Sequence, residues 1–336
     1  MAKAFVIDED PIKTTSAPQR AGSPLRASCA DPEQTPALTP PTMTANISSQ
    51  TRRRLRRALS PVAFAICAVL ALGCGHPPSP ERPVVLVSVP PQAWFVEALA
   101  GDLVDIVVLV PPGANPANHE PGADTMRALS VASLWFKVGH PSFPFEAAWL
   151  DRLLSEHETL AVVSCAPETL PDGAGDPHLW LSPTVAAGAA RRLTAALVTL
   201  LPAHATELQQ RANALVARID EVDRLVTAQL APYQGRSFFV FHPAWGWFAE
   251  HVGLEQVAIE HDHKMPSLAH LAEIIALARD ADCKVIFVQP QFSDIAAQQV
   301  AEAIEAAVVV IDPLASDWDD NLLSAAQALA DGFSAS

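Results

Sequence analysis

Four side chains that could bind a metal ion lie at or after the ends of predicted strands: His119, His178, His242 and Asp312. His242 directly follows the apolar run 237–241, and Asp312 directly follows the run 307–311. Because open parallel sheets bind ligands at the carboxyl ends of their strands, we expect the four to meet in one cleft. Three imidazoles and one carboxylate suit tetrahedral Zn²⁺, and the same donors also bind Mn²⁺ or Fe²⁺.

Each of these residues also has a purely structural explanation. Asp176-Pro177-His178 and Asp312-Pro313 are sequences that form helix-capping turns, since Asp and Pro both favour that position. His119, directly before Glu120, fits an ordinary polar loop. Taken singly, either explanation stands. Taken together, four potential ligands at strand ends favour a metal site.

The elements that position these side chains are short apolar runs that alternate with helical segments. Near-continuous apolar strands separated by helices indicate parallel sheets that are covered on both faces. The runs fall into two sets of four, which predicts an α/β fold with two lobes, 84–202 and 232–333, each with a roughly four-stranded parallel sheet. The predicted strands are 84–89, 104–110, 134–139, 160–164, 237–241, 255–259, 284–289 and 307–311.

A single long helix is predicted between the lobes, over residues 203–231. Its apolar residues recur at steps of three and four, which places them on one helix face. Pro202 and Pro232 mark its two ends. At 1.5 Å per residue this rigid backbone helix is about 40 Å long, enough to contact both lobes. The apolar positions are Leu208, Ala212, Leu215, Ile219, Val222, Val226 and Leu230.

The N-terminal region has the composition of a targeting segment. Residues 1–50 are rich in Pro, Ser and Thr and are predicted to be disordered. Residues 51–74 combine a basic stretch with a short apolar run, which is typical of a secretory signal; a marginal membrane anchor is the alternative. The run ends in Ala-Leu-Gly-Cys, similar to a bacterial lipobox, so Cys74 is the predicted lipidation site. Residues 75–83 then form a stiff tether, and a start at Met43 would give a signal of normal length.

Charge and cysteine content exclude several classes of protein. The net charge is −15 at pH 7, which disfavours nucleic-acid binding and is compatible with a cationic ligand. The five cysteines form no CxxC pattern, which argues against a zinc finger or a disulfide scaffold. Cys165 and Cys283 fall in different lobes, and we expect two buried thiols.

Several blocks resemble the metal-binding lipoproteins of bacterial ABC importers for zinc and manganese: GANPANHEP, DPHLWLSP, FHPAWGWFAEHVGLEQ, VIFVQPQFS and VVVIDPLA. The resemblance runs from about Val84 to Leu329. It implies two lobes joined by a rigid helix, a metal ion bound between them and a membrane permease as partner. The ligands that it implies are the same four residues. The first ligand of the family usually stands at the position of Ala117, two residues before His119. In an extended segment, side chains two residues apart lie on the same face, so His119 could still reach the metal.

The expected function is therefore that of an extracytoplasmic substrate-binding component of a zinc or manganese ABC importer. We expect a monomeric protein that is not an enzyme. We expect it in the periplasm or at the cell surface, with a lipid anchor at Cys74. One alternative is a zinc hydrolase with Glu120 as general base, and another is a surface adhesion protein with a structural metal. We expect His261 and His263 to form a solvated turn, with sampling or relay of metal as the alternative. Glu250 and His140 are either solvated or loop residues, respectively, or partners that orient a ligand.

Overall fold

The computed structural model describes residues 82–155, 157, 159–170, 175–260, 266–293 and 295–335. The predicted disordered region, signal and most of the tether, with Cys74, lie outside these residues, as do His261 and His263. All described residues belong to one compact unit.

Two four-stranded parallel sheets form the framework, as predicted. The first has the strand order β2-β1-β3-β4, and the second has the order β6-β5-β7-β8. Each observed strand overlaps a predicted run: seven strands are shorter than predicted, and β3 begins two residues earlier than predicted. The strands are β1 Val84–Val87, β2 Asp105–Val108, β3 Ala132–Lys137, β4 Ala161–Ser164, β5 Ser237–Val240, β6 Glu255–Ala258, β7 Val285–Val288 and β8 Ala307–Val310.

Helices flank both sheets. Those of the first lobe are α1 Pro90–Ala100, α2 Ala123–Val131, α3 Pro144–Ser155 and α4 Pro183–Leu200. The linking helix is α5 Ala205–Leu230. Those of the second lobe are α6 Gly246–Val252, α7 Leu268–Asp280, α8 Ile295–Ile304 and α9 Trp318–Ser334.

The linking helix is buried along the predicted face. Its seven buried residues are the seven apolar positions that recur at steps of three and four in the sequence. This face packs against α1 and α4 of the first lobe and against α9 of the second. Because the helix contacts elements of both lobes, it limits how freely one lobe can rotate against the other.

The strand order of each sheet creates a crevice at its carboxyl edge. In the first sheet the chain moves from β1 to β2 and then to β3 on the other side of β1, so the connections diverge between β1 and β3. The same occurs between β5 and β7 in the second sheet. Such a switch point leaves space for a ligand outside the strand ends.

The hydrophobic core crosses the boundary between the lobes. Trp318, the first residue of α9, is fully buried against α1 of the first lobe. Its ring centroid lies 5.3 Å from that of Trp94 and 5.4 Å from that of Phe95. Within the described residues no single helix is both long and apolar enough to span a membrane; only a pair bent by 118°, Pro183–Leu200 with Pro202–Tyr233, meets the length and composition criteria.

Candidate metal centre

Two histidines, one from each lobe, meet at the cleft. The ring centroids of His178 and His242 are 5.2 Å apart, and the ring planes make an angle of 80°. The side chain of His178 is 13% exposed and that of His242 is 6% exposed. His242 directly follows Phe241 at the end of β5, beside the switch point of the second sheet. The strand-end prediction therefore correctly brings these two imidazoles together.

The imidazole of His178 is oriented by the residue two positions before it. Asp176 Oδ1 accepts a hydrogen bond from the backbone N–H of His178 at 2.9 Å and another from its Nδ1 at 2.6 Å. Asp176 thus forms a local turn with the backbone, although it does not cap a helix, and the same carboxylate also fixes the ring. Because a carboxylate only accepts, Nδ1 carries the proton, and Nε2 keeps the lone pair that a metal ion requires.

His242 is held in the same way by a carboxylate of its own lobe. Its Nδ1 donates to Glu260 Oε2 at 3.2 Å, and its ring stacks on Phe292 at 4.4 Å between centroids. Burial lowers the pKa of His242; the hydrogen bond to Glu260 opposes this shift, and the nearby His178 adds to it. Burial therefore favours the neutral imidazole, which is the form that binds a metal.

The backbone of His242 is also fixed to the neighbouring strand. The Gln289 side chain, just after β7, accepts from the His242 N–H and donates to the His242 carbonyl, both at 3.0 Å. These two hydrogen bonds tie the end of β5 to the end of β7.

The other two predicted ligands do not join this pair in the structure. The ring of His119 lies 6.0 Å from that of Phe145, between centroids, and His119 does not line the cleft, whereas Ala117 does. The carboxylate of Asp312 binds Gln291 and the backbone of Leu314. Within the described parts of the chain, no three His, Cys, Asp or Glu side chains form a group that could hold a metal ion.

The expectation that residues 117 and 119 share one face of an extended segment is wrong. The backbone N–H groups of Asn118 and His119 both donate to the carbonyl of Asn115, at 3.2 and 3.0 Å. The Asn115 side chain also accepts from the backbone N–H of Ala117. This hydrogen-bonded turn reverses the chain, so the two side chains point in different directions.

The cleft is narrow, with a cavity volume of about 30 Å³. It is lined mainly by apolar residues of both lobes, and its polar groups include the two histidines and Gln291. Glu120 is exposed and does not line it. Glu250 is exposed on α6, which agrees with the solvated alternative, and His140 is buried with its Nδ1 accepting from the backbone of Ser142.

The indole N–H groups of three tryptophans form hydrogen bonds between the two lobes. Trp180 Nε1 donates to the Pro313 carbonyl at 2.7 Å, and Trp318 Nε1 donates to the Trp180 carbonyl at 2.6 Å. Trp247 Nε1 donates to the Asp176 carbonyl at 2.8 Å. All three bonds cross between lobes, and two of them end within one residue of a predicted ligand or its carboxylate partner.

Sequence reasoning missed Glu260, Gln289 and Gln291. Each lies within three residues of a strand end in the second lobe, so the rule that selected His242 and Asp312 could have selected them too. Glu and Gln at such positions are usually solvated, and only the structure shows that Glu260, Gln289 and the Oε1 atom of Gln291 are buried.

Comparison with known proteins identifies the family of this chain. The family model for ZnuA, described as the periplasmic component A of the zinc-uptake complex, matches residues 85–333. The high-affinity zinc uptake system protein ZnuA of Bacillus subtilis strain 168 is 24% identical over 267 residues, which cover 72% of this chain and 82% of the relative. The protein of the same name from Yersinia pestis is 24% identical over 283 residues, covering 73% and 87%.

Solved structures are similar over the same region. A crystal structure of ZnuA is 32% identical with a TM-score of 0.71, and the match covers 75% of this chain and 99% of that one. A ZnuA deletion mutant with zinc bound is also 32% identical, with a TM-score of 0.70 and coverage of 75% and 98%.

Proposed function

Because this chain belongs to the family of periplasmic zinc-uptake components, we propose that its two cleft histidines capture Zn²⁺ for delivery to an ABC permease. The observation that carries the proposal is the pair itself. Two imidazoles from different lobes lie 5.2 Å apart between ring centroids, each with Nδ1 on a carboxylate. With Nδ1 protonated, each imidazole keeps on Nε2 the lone pair that a metal ion requires.

Asp312 and His119 complete the proposed ligand set. Asp312 lies beside Pro313 and accepts from Gln291, both of which line the cleft, so a movement of its loop would bring the carboxylate to the metal. His119 requires more, because the turn after Asn115 must open before its ring can face the cleft. Both loops thus change with metal binding, and a permease can distinguish loaded from empty protein by their positions.

Capture rather than hydrolysis is supported by the surroundings of the pair. Glu120, the general base of the hydrolase alternative, is exposed and outside the cleft lining. A site whose four positions are filled by protein leaves no place for an attacking water. We propose Zn²⁺ as the main cargo, with Mn²⁺ and Fe²⁺ as competitors for the same donors.

The proposal includes a monomer held at the membrane through lipid at Cys74, with residues 75–83 as tether. Growth of the expressing cells with radiolabelled palmitate tests the anchor. Label in the parent and its absence in Cys74→Ala support it, and equal labelling of both refutes it.

The central test is metal content followed by competitive zinc titration of stripped protein. The variants are His178→Ala, His242→Ala, Asp312→Ala and His119→Ala. His204→Ala, in a half-exposed position before α5, is the matched control. We expect one Zn²⁺ per chain in the parent and control, and loss of tight binding in His178→Ala and His242→Ala. No stoichiometric metal in the parent refutes the function, and unchanged affinity in a single variant removes that residue from the ligand set.

A further inference from the structure

Gln291 occupies the same crevice as His242. It lies three residues after the end of β7, and His242 lies two residues after the end of β5, the neighbouring strand at the switch point. Its side chain lines the cleft together with both histidines. Neither the strand-end prediction nor the motif blocks gave this residue a role.

The orientation of the Gln291 amide is fixed by its partner. Nε2 donates to Asp312 Oδ1 at 2.7 Å. Because a carboxylate only accepts, the nitrogen must face Asp312, and the carbonyl oxygen must point the other way. The backbone N–H of Leu314 donates to the same Oδ1 at 2.9 Å. Both bonds therefore orient the Asp312 carboxylate without using Oδ2.

The carbonyl oxygen of Gln291 is buried and has no hydrogen-bond partner among the described residues. Buried carbonyl groups are normally paired, since burial removes the water that would otherwise bind them. An unpaired, buried oxygen on a residue that lines a cleft with two oriented imidazoles has the chemistry of a metal ligand. A purely structural role for Gln291 explains the hydrogen bond that Nε2 donates to Asp312, but it does not explain why Oε1 is buried without a partner.

We propose that Gln291 is a further residue of the metal site, with its Nε2 orienting Asp312 and its Oε1 coordinating the cation. The inference rests on the function proposed above and adds a neutral oxygen donor to a site of nitrogens and a carboxylate. A neutral amide oxygen is a hard donor of the kind that Mn²⁺ also accepts. The additional ligand raises the coordination number above that which the other donors supply.

The test compares Gln291→Leu, which removes both polar atoms, with Gln291→Glu, which removes the donor but keeps an oxygen. Gln299→Leu, an exposed position on α8, is the control for the same chemical change. Stripped full-length protein is titrated with Co²⁺, whose visible absorption is more intense in four-coordinate than in higher-coordinate sites. Competition with Zn²⁺ then gives the affinities, and circular dichroism establishes that each variant is folded.

We expect Gln291→Leu to lose about tenfold or more in Zn²⁺ affinity and to show the more intense Co²⁺ spectrum. We expect Gln291→Glu and Gln299→Leu to keep the parent spectrum.

If Gln291→Leu and Gln291→Glu lose affinity equally and both keep the parent spectrum, Gln291 only orients Asp312 and coordination by Oε1 is refuted. If the parent binds no metal, the proposed function fails with it; if the parent binds and neither variant differs, only the role of Gln291 fails. Should Gln291→Leu not fold, a parent-like Gln291→Glu spectrum supports the proposal and an altered one refutes it.

Discussion

Gly246 lies where a single methyl group in one lobe should disturb a histidine in the other. It is the first residue of α6, and a Cβ placed there would lie 2.6 Å from Asp176 Oδ2. The other oxygen of that carboxylate holds the backbone and ring of His178. In Gly246→Ala, Asp176 must therefore retreat or rotate, and either movement weakens the hydrogen bond that orients the imidazole.

The size of the effect follows from these distances. Ordinary contact with a Cβ begins near 3.4 Å, so Oδ2 must move by about 0.8 Å. If Oδ1 moves by the same amount, the 2.6 Å hydrogen bond lengthens to as much as 3.4 Å and is strongly weakened. Loss of a carboxylate that orients a metal-binding histidine costs about 10–100-fold in metal affinity, or about 1.4–2.7 kcal/mol. Stability should change little, because Ala favours the helix over Gly by up to about 1 kcal/mol.

The assay is competitive zinc titration of Gly246→Ala, Asp176→Ala and the double variant. Gly122→Ala is the control, since a Cβ there meets nothing within 4 Å. We expect each single variant to lose affinity and the double variant to match Asp176→Ala, because the methyl group acts through the carboxylate. A full additional loss in the double variant, or normal affinity in Gly246→Ala beside weak binding in Asp176→Ala, would refute this reasoning.

Three further predictions concern the framework. Trp180→Phe leaves the Pro313 carbonyl without its cross-lobe donor and should lower the unfolding free energy by about 1–3 kcal/mol in urea titration. Burial raises the pKa of Cys165 to about 12, so about one thiol in 10⁴ is ionised at pH 8, and iodoacetamide should label it only after unfolding. Burial also raises the pKa of Glu146 above its usual value near 4.5, so the unfolding free energy should fall as pH rises through the folded-state pKa, and Glu146→Gln should lack this fall.

Each of these has a contrary outcome. Unchanged urea stability in Trp180→Phe would mean that the indole hydrogen bond contributes nothing net. Rapid labelling of folded Cys165, located by peptide mapping, would mean that the thiol is accessible. Parallel pH profiles for the parent and Glu146→Gln would mean that Ser88 and the two backbone donors to Glu146 cancel the effect of its burial.

The framework was predictable from the sequence because it depends on apolar periodicity. The buried face of α5 could be read from steps of three and four, and every β-strand coincides with an apolar run. His242 was predictable for a related reason, since its position at a strand end follows from chain order alone.

The site was less predictable where polar loop residues decide the geometry. Glu260 and Gln291 look like solvated residues in the sequence, and only tertiary packing buries their functional atoms. His119 shows the opposite error, because the backbone hydrogen bonds to Asn115 form a turn in a segment that we expected to be extended. Periodicity carries no information about such turns.

The burial of Trp318 against Trp94 and Phe95 has a consequence for how the chain folds. More than 200 residues separate the partners in this contact, so the first lobe cannot close its aromatic core until the beginning of α9 has been synthesised. Contacts at such long sequence separation slow folding, and until they form the indole-binding surface on α1 stays exposed to other chains. A fragment limited to the first lobe should therefore aggregate, and the intact chain should fold as one cooperative unit.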